Sequence, residues 1–117
     1  ENPHFVPERK GVLNPGALSK EERRVLIAQK PEYGNIICRC EMISEGEILD
    51  AIHRPLGATN LDGVKRRTRA GAGRCQGGFC APRVMELLAR ERGVDLRDVT
   101  KCGGDSRIVV GINKDAL

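Results

Sequence analysis

The hydrophobic positions of the chain fall in short groups whose spacing predicts helices separated by irregular loops. Ser19-Lys20-Glu21-Glu22 reads as a capping box, with Ser19 satisfying the early amides and Glu22 reaching back. A helix is expected from there to about Lys30, where Pro31 stops it. Ile36 and Ile37 form a short extended run into Cys38. Ser44-Glu45-Gly46-Glu47 is a second capping box, flanked by Ile43 and Ile48 at hydrophobic-staple positions. The helix it starts places Ile48, Leu49 and Ile52 on one face and is closed by Pro55 and Gly57. A third helix is expected from near Asn60, through Leu61 and Val64, to before Gly71. The fourth has Pro82 in its first turn, Val84, Leu87 and Leu88 at helical spacing, and Gly93 as terminator. Glu86 and Arg90 stand one turn apart and are expected to pair. Asp95 to Val99 adds one short turn, and Arg107 to Gly111 is a candidate strand that would pair with Ile36–Ile37. There is no internal repeat.

The expected fold is therefore mainly α: a small helical domain with cysteine-bearing loops and at most a short β pair. Before the first helix, Pro3, Pro7 and Pro15 with Gly11 and Gly16 disfavour regular structure and predict an extended strap; plain disorder is the other reading. Residues 1–33 then form a strap plus one helix that links to a parent protein, and residues 34–117 form the cysteine-bearing domain. The start at Glu1, without an initiator methionine, fits a piece of something longer.

Composition adds a constraint. Aromatics are only 3% of the residues (Phe5, Tyr33 and Phe79), so the core must be modest, and small domains of this kind usually need a staple such as a metal. The net charge of +4, from 20 basic and 16 acidic residues, is mildly basic and is no nucleic-acid signal by itself. The basic run Lys65-Arg66-Arg67-Thr68-Arg69 lacks interleaved aromatics and has Asp62 beside it, which reads as a solvated helix face and not as a nucleic-acid footprint. It would also suit an acidic partner. No apolar run is long enough to span a bilayer, and there is no secretory h-region. Five cysteines, an odd number, argue against a disulfide framework. The expected setting is cytoplasmic, with reduced thiols available for a metal, and with any membrane association made through the parent complex.

Four of the cysteines carry the chemistry. Cys38-x-Cys40 is followed after 34 residues by Cys75-x-x-x-x-Cys80: two close pairs on loops, with helices between to bring them together. Thiolates suit iron–sulfur clusters and zinc alike. Cys-x-Cys is tighter than the spacing common in structural zinc sites. The second loop, Gly71-Ala72-Gly73-Arg74-Cys75-Gln76-Gly77-Gly78-Phe79-Cys80, has four glycines that let the backbone fold closely with its amides turned inward. A single tetrahedral zinc has little use for those amides, whereas cluster sulfurs accept hydrogen bonds from them.

Charge points the same way. Cys40 and Cys80 are expected to lie just before helix starts, where partial positive charge collects. Lys65, Arg66, Arg67, Arg69, Arg74 and Arg83 add cations near the loops in sequence. At roughly 10 Å and an effective dielectric of about 20 to 80, one arginine stabilises an added electron by about 0.4–1.7 kcal/mol. For a one-electron couple that is roughly 20–70 mV. Such cations set a potential but do not identify the metal.

The motifs resemble a known family. Ile36-Ile37-Cys38-Arg39-Cys40-Glu41, Ser44-Glu45-Gly46-Glu47-Ile48, Leu61 to Arg69, and Gly73 to Arg83 are similar to the bacterioferritin-associated ferredoxin type of [2Fe–2S] domain. The resemblance is closer to its version at the C-terminus of FAD-dependent dehydrogenases of the anaerobic glycerol-3-phosphate dehydrogenase type. It runs from about Tyr33 to Thr100. It implies that Cys38, Cys40, Cys75 and Cys80 each ligate iron, and that the cluster passes electrons from a flavin to an outside acceptor. The shortest family members put two residues between the last pair of cysteines; the four found here suit the dehydrogenase-linked branch. FAD and substrate would be held by a parent domain that this chain lacks, so the partners implied are that flavin domain and a downstream acceptor.

The remaining residues read more plainly. Cys102 lies outside the motif and is expected to be an inert thiol; His4 and His53 are expected to be surface imidazoles. Ser19 and Ser44 are caps, Gly71-x-Gly73 lacks the preceding strand of a nucleotide loop, and no catalytic set appears, so this piece alone is not an enzyme. The rival class is a zinc-stapled interaction module, and zinc is also expected as a substitute in an iron–sulfur site. A third reading is an iron–sulfur sensor or copper-chaperone partner.

Overall fold

The computed structural model describes residues 1–116. Helix α1, Lys20–Gln29, starts at the expected capping box: the Glu22 amide donates to Ser19 Oγ at 3.2 Å, and the Ser19 amide donates to Glu22 Oε2 at 2.8 Å. It buries none of its residues and rests on the turn Pro31–Gly34 through Ile27. In that turn the Tyr33 ring is buried against Gly46, where an added Cβ would stand only 2.6 Å from the ring. The close stacking of the phenol on bare backbone ties the N-terminal part to the rest.

A two-stranded antiparallel ribbon follows. Strand β1, Ile36–Cys38, pairs with β2, Ile43–Ser44, with an irregular register that sets Cys38 opposite Ile43. Helix α2, Glu45–His53, leaves β2 directly. The Ser44 amide and Ser44 Oγ both donate to Glu47 Oε2 at 2.7 Å, closing the second capping box in a buried setting. Helices α3 (Leu61–Thr68) and α4 (Ala81–Arg92) complete the bundle. Pro82 lies in the first turn of α4, and Gly93, with φ +64°, ends it by donating to Ala89 O and Arg90 O. The core gathers Ile43, Ile48, Ile52, Val64, Val84, Met85, Leu87, Leu88 and Val99. Cys38 and Cys80 are buried at its margin.

Two expectations are corrected. Residues 107–111 do not form a strand beside Ile36–Ile37; Arg107 makes an isolated bridge with Thr100, and β2 takes the partner edge of β1. A neighbour five residues along the chain closes a far smaller loop than one seventy residues away. Glu86 does not pair with Arg90 either. Arg83 takes Glu86, while Arg90 reaches Glu45 on α2 and the adjacent Glu91, tying two helices together. The turn expected near Asp95 is present at Leu96–Asp98. Among the described residues no helix is long and apolar enough to cross a membrane.

Candidate metal centre

The two cysteine loops meet at one end of the bundle, and Gly73 is what allows them to. A Cβ at Gly73 would stand 2.2 Å from Cys40 Cβ and 3.3 Å from its Sγ, so a larger residue would drive the loops apart. Beyond it the chain turns tightly. Gln76 (φ +51°) and Gly77 (φ +80°) are both left-handed, and the Gly78 amide donates to Cys75 O at 3.0 Å. This sharp reversal aims consecutive amides at one point. The backbone N–H groups of Phe79, Gly77 and Gly78 reach Cys75. The Phe79 amide, and then Cys40, hold the Cys75 thiol below its ordinary range, because both favour the thiolate.

Each loop supplies one inner and one outer cysteine. Cys40 is a neighbour of Cys75, and both Cys38 and Cys75 are neighbours of Cys80. Burial, followed by the neighbouring Cys38, pushes the Cys80 thiol up to about 11. The inner pair is nearly closed to water, with Cys38 1% and Cys80 2% exposed. The outer pair faces solvent: Cys40 is exposed and Cys75 half-buried. Four neighbouring thiols with backbone amides at Cys75 suit a two-iron core, which takes two thiolates on each iron and has sulfurs that accept hydrogen bonds. A lone zinc would draw all four sulfurs to about 2.3 Å from one point. The donor set therefore fits a [2Fe–2S] group.

The surroundings are sorted differently from their order in sequence. Cys80 directly precedes α4, as expected, but Cys40 does not precede a helix: a turn and β2 separate it from α2. Of the two helix starts expected directly after a cysteine, that of α4 is the one present. Of the expected cations, Arg74 is exposed beside Cys75 and Arg69 pairs with Glu41 at 3.3 Å. Arg83 pairs with Glu86. Lys65 lines a cavity of about 340 Å³ behind Cys80, together with Gln76, Gly77 and Lys101. Lys101 was not legible as part of this region. Backbone bonds from Leu61 to Thr100 O and from Asp62 to Lys101 O bring it there, and its ammonium holds the Asp62 carboxyl below the usual carboxylate range. Arg66 and Arg67 turn away to a different cleft. On the outer side Met42 and Phe79 project into solvent, 64% and 86% exposed, and give the rim an apolar character that no periodicity signalled. Cys102 is exposed and free, and His53 pairs with Glu91 at 2.6 Å on the surface.

The comparisons with known proteins agree with the resemblance of the loops. Residues 36–90 match the family model of the BFD-like [2Fe-2S] binding domain. A glycerol 3-phosphate dehydrogenase of Caloramator mitchellensis is 50% identical over 114 residues, which is 97% of this chain and 24% of that protein. An opine oxidase chain of Rhizobium meliloti is 45% identical over 84 residues, 71% of this chain and 15% of that protein. A chain of the anaerobic glycerol-3-phosphate dehydrogenase of Escherichia coli strain K12 is 41% identical over 58 residues, 50% of this chain and 10% of that protein. The chain thus spans a quarter or less of the length of these relatives. No solved structure matches it.

Proposed function

Taking residues 36–90 as a BFD-like [2Fe–2S] binding domain, we propose that Cys38, Cys40, Cys75 and Cys80 hold the cluster of a one-electron relay. The relay would serve a flavin-dependent dehydrogenase of the glycerol-3-phosphate dehydrogenase type, since proteins of that name match the chain. The observation that carries the reading is the gathering of four thiols from two loops, with a buried inner pair and a solvent-facing outer pair. A bound [2Fe–2S] cluster supplies storage for one electron.

The chain's own residues do the rest. The buried pair, Cys38 and Cys80, anchors the site to the core and keeps water from that side. The amides of Gly77, Gly78 and Phe79 stabilise negative charge on Cys75 without adding a titrating group. The exposed rim with Cys40, Met42 and Phe79 is the face through which a donor and an acceptor approach, and Arg39 and Arg74 bias it toward acidic partners. FAD would belong to the parent's flavin domain, which feeds the relay in a cytoplasmic setting. Zinc would occupy the thiols as a substitute when iron is short.

Anaerobic purification with iron, zinc and acid-labile sulfide analysis tests the proposal. Two irons and two sulfides per chain, with a visible spectrum bleached by dithionite, are the expected result. A colourless protein holding one zinc, which also resists reconstitution with iron and sulfide, would overturn it in favour of a zinc-stapled interaction module.

A further inference from the structure

The basic residues that turn away from the cysteines gather elsewhere. A cleft of about 480 Å³ under the N-terminal strap is lined by Arg9, Arg54, Arg66 and Arg67, with Leu56 at its edge. Elsewhere Arg69 is answered by Glu41, Arg90 by Glu45 and Arg97 by Asp95, while among the described residues Arg23, Arg24, Arg39, Arg74 and Arg92 have no such partner and line no part of this cleft. Among the described residues, none of the four cleft arginines forms an ion pair. Glu8 and Asp50 line the adjoining groove without pairing with them.

Two of the four are nonetheless held in place. Arg67 donates through Nη1 to Gly63 O at 3.0 Å and through Nη2 to Leu56 O at 2.5 Å. Arg54 donates to the Lys10 carbonyl of the strap. Carbonyl acceptors orient a guanidinium but leave its charge without a counter-ion. Four cations lining one cleft, two of them fixed and none paired, are an arrangement that an anion completes.

We infer that this cleft binds a phosphate-bearing anion at a site separate from the cysteine centre. A carboxylate brings one charge and two oxygens and satisfies a single guanidinium fork. A phosphate group brings between one and two charges and several terminal oxygens, which matches several forks at once. The same group comes either free, as a small phosphoester, or as a lipid headgroup. In the second case Leu56, 92% exposed, would enter the apolar layer beside it.

The test titrates inorganic phosphate into the isotope-labelled 117-residue chain at constant ionic strength, following the arginine Nε–Hε signals. It runs beside co-sedimentation with vesicles of phosphatidylglycerol and of phosphatidylcholine. Saturable shifts at Arg9, Arg54, Arg66 and Arg67 are expected, with affinity falling roughly tenfold or more in Arg9→Ser/Arg66→Ser. Among the described residues neither of those two side chains has a hydrogen-bond partner, so the variant keeps its structure. Arg24→Ser, on the exposed face of α1, should bind like the parent. Sedimentation with phosphatidylglycerol alone, lost in the double variant, identifies the headgroup as the source; saturation by phosphate without sedimentation identifies a free phosphoester. Shifts that grow linearly at every arginine, or equal losses in Arg24→Ser and Arg9→Ser/Arg66→Ser, overturn the inference.

Discussion

At Gly73 the cysteine loops approach too closely for a side chain, because a single methyl group would stand 2.2 Å from Cys40 Cβ. Gly73→Ala should therefore spread the thiols and lower stability by about 1–3 kcal/mol, the usual result of overpacking. Iron and sulfide per chain should fall well below those of the parent. Gly111→Ala, at a position with nothing within 4 Å, should change neither quantity, and equal metal loading in both variants would contradict this account. Tyr33 offers a second handle, since it is the single tyrosine and there is no tryptophan. Burial, and then the nearby Asp50, Glu32 and Glu47, raise its phenol above 10.0. A raised folded pKa means that this contribution to stability is complete below the unfolded value near 10 and is lost as pH rises through the folded one. Alkaline difference absorbance should show the phenol ionising later in the folded chain than in urea.

The helices follow from local chemistry, and the consequences differ with what each buries. Both capping boxes were legible as Ser-x-x-Glu, yet only the one on α2 is buried. Ser44→Ala removes a partner of both the Glu47 amide and the Glu47 carboxylate, and should cost about 1–2 kcal/mol in urea unfolding. Ser19→Ala should leave the global transition nearly unchanged. It should instead speed hydrogen exchange along α1, a helix without a buried residue that opens locally. The strand expected at residues 107–111 failed for a reason belonging to this scale. The β-branched run Ile108-Val109-Val110 fits a pleated edge, but β2 already covers β1 in a tight ribbon.

Over the whole molecule the fold divides one basic sequence run between two places. Lys65 stands behind Cys80, whereas Arg66 and Arg67 lie in the cleft under the strap. Arg74→Gln, beside the thiols, should lower the reduction potential of the loaded protein by roughly 20–70 mV, since a cation that stabilises the added electron is lost. Arg66→Gln should leave the potential nearly unchanged, and equal shifts from both would show that the cations act only through net charge. Met42 and Phe79, far apart in sequence, are each exposed on one of the two cysteine loops, which only the fold brings together.

Much of the protein was determined by short-range pattern alone. The two cysteine pairs, the glycines between them, the capping boxes, the proline stop and the glycine terminator are local, since each depends on torsions and hydrogen bonds within a few residues. Tertiary structure decided which thiols are neighbours, which pair is buried, and that Cys40 lies in the turn of a ribbon and not before a helix. It also decided that Arg90 prefers Glu45 to Glu86, and that Lys101 reaches the site. These depend on contacts between residues tens of positions apart, whose partners are chosen by the packing of α2, α3 and α4 around one small core and leave no periodicity in the sequence.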